Sequence, residues 1–318
     1  MAKIFFGFGN KKKNPFEEMT EKELKKIMRL FEEVKKDLSK KVKKMGSTKS
    51  DRLQKIVMND AINSLNGNIK ELYERLEGQI DNAMLNVCKK SIEAEQQYFR
   101  LNFGLQFGKS YMSIPTSVVN DIRNGKIYNE KWYLSDAIWR DQKSKLDEIN
   151  YIISKGVAEG KSTYDIAKDL EQYVDPKAKK DWAWSKVYPG TAKRIDYNAQ
   201  RLARTAISHA YEQCTVQQAK NNPLSQGIEW ISAMSERTCQ ICQDRDGKIY
   251  QPDELPLDHP NGLCTYAVVL PDMDDIASRL GAWVAGNPDY ALDAWYSNLG
   301  GENKLKNAQK PIYFFHVL

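Results

Sequence analysis

Apolar residues in the first half of the chain recur at helical spacing. Leu24, Ile27, Phe31, Val34 and Leu38 step three or four residues apart, which predicts an amphipathic helix with a lysine-rich outer face. A break follows at 45–50, and residues 51–102 read as one long helix. Its seam steps through Ile62, Leu65, Ile69, Leu72 and Leu76 in a heptad, then shifts by one residue to Ile80, Ala83 and Val87. Gly67 and Gly78 weaken it, and the face reads as a helix-hairpin or subunit contact. Residues 103–130 read as turns around a short helix near 116–124. A helix over 135–159 rests on Ile138, Leu146, Ile149, Ile153 and Val157, with Gly156 and Gly160 at its end. Ser162-x-x-Asp165 resembles a capping box opening a short helix with Ile166, Leu170 and Val174, stopped near Pro176.

After a loop at 177–190, a third long helix over 191–220 carries a small-residue stripe: Ile195, Ala199, Leu202, Ala206, Ala210 and Cys214. The period then changes. Residues 228–233 and 265–270 read as strands, helices follow near 272–285 and 288–299, and the apolar tail at 312–318 adds a strand or docks on a partner. The expected fold is mainly α with a small α+β C-terminal region: long helices followed by a small β-sheet stapled by a Cys/His metal site. The corresponding segments are a Lys-rich helix (1–50), a long-helix region (51–130), a helical domain (131–226), a small β metal-knuckle domain (227–270) and C-terminal helices with the tail (271–318).

Composition narrows the class. With 318 residues, 41% hydrophobic and 28% charged, the chain is no disulfide miniprotein, collagen or wholly disordered polypeptide. Its apolar runs, such as Ala267-Val268-Val269-Leu270, are too short to span a bilayer, so membrane insertion is not expected. The apolar opening stretch runs into Lys11-Lys12-Lys13 with no small-residue cleavage site, which argues against a signal peptide. Three histidines, no persuasive Ser/His/Asp order and no G-x-x-x-x-G-K-[ST] loop leave little catalytic equipment. His209 and His316 read as packing or surface residues, and Cys88 and Cys214 as packing residues on helix faces.

The net charge of +6 is uneven: residues 1–60 hold 17 Lys/Arg against 9 Asp/Glu. Lys11, Lys12, Lys13, Lys40, Lys41, Lys43 and Lys44 are candidates for contact with a polyanion such as DNA, through counterion release from phosphates. A solvated helix face reads equally well. With no interleaved aromatic platform, any such contact is nonspecific.

The chemistry concentrates in 26 residues: Cys239-x2-Cys242, sixteen residues, His259, four residues, Cys264. Thiolate and imidazole are the ligands a tetrahedral zinc ion prefers, and four of them close its coordination sphere, as in a structural site. Iron, or ordinary thiols without an ion, are the other readings. Asp258-His259 after a C-x2-C invites comparison with HNH nucleases, in which a His activates water. The following helix with Asn and His that such domains use is missing, as is a second C-x2-C.

A wider block carries a resemblance. Arg201-Leu202-Ala203-Arg204-Thr205, Gly227-Ile228-Glu229-Trp230, Glu236-Arg237-Thr238-Cys239-Gln240-Ile241-Cys242, Asp246-Gly247-Lys248, Leu255-Pro256 and His259-Pro260-Asn261-x-x-Cys264 together resemble the signature of phage Mu F-like minor head proteins, the phage head morphogenesis family. The likeness covers roughly 195–270, with a weaker likeness upstream over 138–162. The family ends the block in His-Pro-x-Cys-Arg-Cys. Here Gly262-Leu263-Cys264 stands in that place, and Ala206 stands where a Glu often follows the Arg-Thr pair. The resemblance implies a non-enzymatic, low-copy component of the phage head interior, made in the bacterial cytoplasm. Its implied partners are the portal protein, other capsid or scaffolding proteins and packaged DNA, and its implied role is head assembly and genome packaging or delivery. An HNH-like nuclease and a phage-delivered toxin or effector are the competing functions.

Overall fold

The computed structural model describes residues 2–4, 15–45, 51–174, 197–232 and 238–298. Lys11–13, the loop at 177–190 and the tail at 312–318 lie outside them. The helices are α1 (Pro15–Met45), α2 (Asp51–Phe103), α3 (Lys109–Met112), α4 (Ile114–Arg123), α5 (Leu134–Ala158), α6 (Thr163–Val174), α7 (Tyr197–Asn221), α8 (Gln240–Arg245), α9 (Met273–Val284) and α10 (Tyr290–Asn298). The strands are β1 (Ala2–Ile4), β2 (Gly227–Ile231), β3 (Ile249–Tyr250) and β4 (Thr265–Leu270). Long helices and a small antiparallel sheet bear out the expected fold class.

Two compact units form, each assembled from separate stretches of chain. One takes Glu21–Asp81 and Tyr128–Arg204; the other takes Met1–Thr20, Asn82–Ile127 and Thr205–Leu318. In the first, α1 buries Leu24, Ile27, Leu30, Phe31 and Val34, and α2 buries Ile69, Leu72, Leu76 and Ile80. The predicted seams thus face inward; the side chains of Leu38, Ile62 and Leu65 are not among those described. Ser162 caps α6 as expected: its Oγ accepts the Asp165 N–H at 3.1 Å while its hydroxyl donates to the Asp165 carboxylate at 2.6 Å.

Helix α5 departs from its predicted stripe. Leu134, Ile138, Asp141, Lys145, Ile149, Ile152 and Gly156 point inward, while Val157 is exposed. Two charged residues occupy core positions because each finds its partners within one buried cluster. Tyr73 donates to Asp141 at 2.6 Å and Asn198 donates to its other oxygen at 3.0 Å. Lys145 lies 3.9 Å from Asp141 and donates to Glu148 at 3.2 Å, and Tyr173 donates to Glu148 at 2.7 Å. A polarity-based reading skips such positions.

The second unit carries the sheet, in the order β1-β4-β2-β3. All pairs are antiparallel: β2 runs along β4 from Gly227↔Val269 to Ile231↔Thr265, and β1 lies on the other side of β4 from Ala2↔Leu270 to Ile4↔Val268. All six residues of β4 are buried, which accounts for the continuous apolar run of this central strand. Helix α7 packs here through its small residues: Ala206 and Ala210 are buried, the Cys88 thiol donates to the Ala210 carbonyl at 3.3 Å, and the Tyr211 hydroxyl donates to the Tyr266 carbonyl at 3.0 Å. Phe16 stacks on Tyr211 with ring centroids 4.7 Å apart. Ala2–Ile4 and Phe16 therefore belong to this unit's sheet and core.

Candidate metal centre

Each part of the Cys/His block has a defined support. Cys239 sits in extended conformation just before α8, and Gln243 N–H donates back to its carbonyl at 3.1 Å. One turn on, Cys242 faces inward and is buried. The Asp246-Gly247 turn then returns the chain to the sheet. Gly247 takes φ +72°, its N–H donates to the Trp230 carbonyl at 2.8 Å, and Asp246 accepts the Ser232 N–H at 2.7 Å. The guanidinium of Arg245 lies over the Trp230 ring at 4.8 Å. His259 belongs to a turn whose Asn261 is left-handed at φ 68°, and Cys264 directly precedes β4.

Ligand atoms of Cys239, Cys242 and His259 all lie within 4.8 Å of one another. Those of Cys242, Asp258 and Cys264 form a second such group, so Cys242 belongs to both. The first group is the outer half, with Cys239 and His259 exposed; the second is wholly buried. The sequence reading proposed Cys239, Cys242, His259 and Cys264 but passed over Asp258, which carries no ligand signal of its own beside His259.

The donor chemistry suits a soft or borderline cation. All three cysteines are free thiols. The Cys239 thiol is held below its ordinary pKa, first by the hydrogen bond from the Cys242 backbone and further by the Cys242 thiol and His259. Burial drives Cys242 the other way, well above the ordinary thiol range, and the neighbouring Cys264 and Cys239 thiols add to the shift. Burial disfavours a charged His259, yet the Pro260 carbonyl, Asp258 and Cys239 together raise its pKa. Because a carbonyl only accepts, the 3.2 Å contact to Pro260 places a His259 proton on Nδ1, so that in the neutral ring Nε2 is the nitrogen able to bind an ion. These groups could hold a metal.

Beneath the loop, α7 presents polar groups that sequence reasoning did not assign. Asp258 N–H donates to Glu212 at 2.9 Å, and the Tyr266 hydroxyl donates to the same oxygen at 3.0 Å. His209 Nε2–H donates to the Asp258 carbonyl at 3.0 Å, and Asn261 N–H donates to the Thr205 hydroxyl at 2.9 Å. Asp258 also takes the His259 N–H at 2.8 Å. A β-carbon at Gly262 would collide with that carboxylate, so any larger residue would have to displace the Asp258 side chain. Burial lowers the pKa of His209, against its bond to Asp258, and keeps the ring a neutral structural donor. The one clue in the sequence is the i, i+3, i+4, i+7 spacing of Thr205, Ser208, His209 and Glu212.

The centre is thus a thiol-imidazole knuckle formed by the start of α8 and the loop before β4. Residues 147–265 match the family described as Phage Mu protein F like protein, so this region is similar to that family. The match takes in α7, β2 and all of the Cys/His block, and ends at the first residue of β4. Comparisons with curated proteins and with solved structures gave no match.

Of the lysines proposed for DNA contact, Lys40, Lys41, Lys43 and Lys44 lie in the last part of α1, where Lys40 is exposed. Lys11, Lys12 and Lys13 lie outside the described residues. Among the described residues, no helix is long and apolar enough to cross a membrane.

Proposed function

We propose that this chain is a minor head protein of a phage particle: an internal component, associated with the portal, that aids head morphogenesis and the packaging or delivery of the genome. The observation that carries this reading is the Mu F-like match over 147–265, whose separate motifs meet at one place in the fold. Thr205 of the Arg-Thr pair bonds the turn that holds His259, and His259 faces the C-x2-C. The reading is of a structural protein rather than an enzyme. In its support, α9, the helix after β4, carries neither His nor Asn, the residues an HNH-type nuclease would place there.

In the same reading the knuckle holds one structural zinc ion through Cys239, Cys242, His259 and Cys264. Bound, the ion cross-links the α8 turn to the loop before β4. The lysines at 11–13 and 40–44 touch packaged DNA through its phosphates. Assembly takes place in the host cytoplasm, with the portal and other capsid or scaffolding proteins as partners.

Deletion of the gene from the phage genome tests the function. The expected result is a fall in filled, infectious heads, restored by the gene supplied in trans. A normal yield of filled infectious heads without the chain would refute it. For the DNA contact, removing residues 1–60 is unsuitable because β1 and Phe16 belong to the sheet and core. Lys40, Lys41, Lys43 and Lys44 changed together to Glu in the full chain is the cleaner variant. Filter binding should weaken and lose much of its salt dependence; unchanged, salt-sensitive binding would remove the lysines from the account.

A further inference from the structure

We infer that one face of α7 positions the metal loop and sets how tightly the centre holds its ion, an inference that rests on the metal reading above. Thr205, Ser208, His209 and Glu212 fall at i, i+3, i+4 and i+7, so a single helical face presents all four. Each meets the five-residue stretch from Asp258 to Gly262 or its immediate support. Thr205 accepts the Asn261 N–H at 2.9 Å, and His209 donates to the Asp258 carbonyl at 3.0 Å. Glu212 accepts the Asp258 N–H at 2.9 Å, and Ser208 lies 3.4 Å from the Asp258 carboxylate. Ser208, His209, Glu212 and Asp258 are all buried, so these bonds form away from competing water.

The arrangement fixes backbone on both sides of His259 while leaving its ring to the centre. Asp258 is tied through its N–H, its carbonyl and its carboxylate, and Asn261 through its N–H. The only freedom left to His259 is its side chain, and the Nδ1–H bond to Pro260 constrains that as well. A loop held this way gives up little conformational freedom when an imidazole and a thiolate close on an ion, and its ligand presentation depends on the groups behind it. The four α7 residues are positioning residues in this account; none needs to touch the ion.

The test measures zinc affinity of the full chain by competition with a chromophoric chelator, together with melting of the metal-free form. Thr205→Val removes the acceptor for Asn261, whereas Thr205→Ser keeps it. Glu212→Ala removes the acceptor for Asp258 and Tyr266, whereas Glu212→Gln keeps a carbonyl oxygen there. Thr205→Val and Glu212→Ala should each weaken zinc binding about 10- to 100-fold. The two conservative variants should bind within a few-fold of the parent chain. Should Glu212→Ala fail to fold, Thr205→Val carries the test alone. Parent-like affinity in the disruptive variants, with only metal-free melting lowered, would overturn the inference and leave the metal reading standing. Failure of the parent chain itself to bind zinc would overturn both.

Discussion

At Glu95, burial alone sets a measurable pH dependence. Its carboxyl is fully buried on α2, Oε1 accepts from Asn222 at 2.9 Å, and desolvation pushes its pKa from an ordinary 4.5 up to about 8, against the bonds from Asn222 and Gln218. The folded state therefore holds a proton that the unfolded chain releases. Stability is full below pH 4.5 and falls as the pH rises toward and through 8. Tyr211, Tyr266 and Cys214 lie around this carboxyl, and burial raises both Tyr266 and Cys214. Glu95→Gln should match the parent near pH 5 and exceed it near pH 9 by a few kcal/mol. Urea denaturation at both pH values checks this, and parallel pH profiles would contradict it. Gly262→Ala should cost about 1–3 kcal/mol through the collision with Asp258 and should weaken metal uptake alongside. A variant that melts with the parent would show that the loop yields easily. Cysteines and His259 were legible because thiol and imidazole spacing is itself the signal. Asp258 and Glu212 were not, since a carboxylate reveals its role only when burial and a partner are known.

Helices were the most legible elements. The three- and four-residue steps of α1 and α2 and the Ser162 cap of α6 each follow from local sequence, and each appears in the fold. Between 103 and 130 the reading was coarser: α4 begins at Ile114, and a further short turn, α3, precedes it. Strand β1 was missed altogether, because a three-residue strand has too little pattern to stand apart from its neighbours, and its partner Val268–Leu270 lies at the other end of a long sequence separation. Helix α5 shows the opposite failure: its inward face holds Asp141 and Lys145, which a hydrophobic count excludes. Their burial predicts a sharp response to mutation. Asp141→Ala leaves Lys145 with Glu148 alone and removes the acceptor of Tyr73 and Asn198, and should cost on the order of 3–5 kcal/mol in urea denaturation. A loss under about 1 kcal/mol would mean that the cluster is wetter or looser than its geometry indicates.

For the molecule as a whole, the chain folds into two units that both draw on separated stretches, so contiguous segments of sequence are a poor guide to which residues cooperate. The centre lies within one of these stretches: its supports come from α7, α8 and the loop before β4, spread over some sixty residues from Thr205 to Cys264. That spread is also why the family block reads as scattered short motifs. Removing a bound metal is expected to act on α8 and the loop before β4, in the unit that carries the sheet. A chelator should lower the melting temperature of the parent chain and leave a Cys242→Ser variant little changed; equal melting of the parent with and without chelator would remove the ion from the account. The most direct measurement of the central claim is mass spectrometry of purified particles, separated into filled and empty heads and treated with protease and nuclease beforehand. The chain is expected inside filled heads, protected from protease, at low copy relative to the major capsid protein. Its presence in the lysate but absence from protected particles would contradict the assignment.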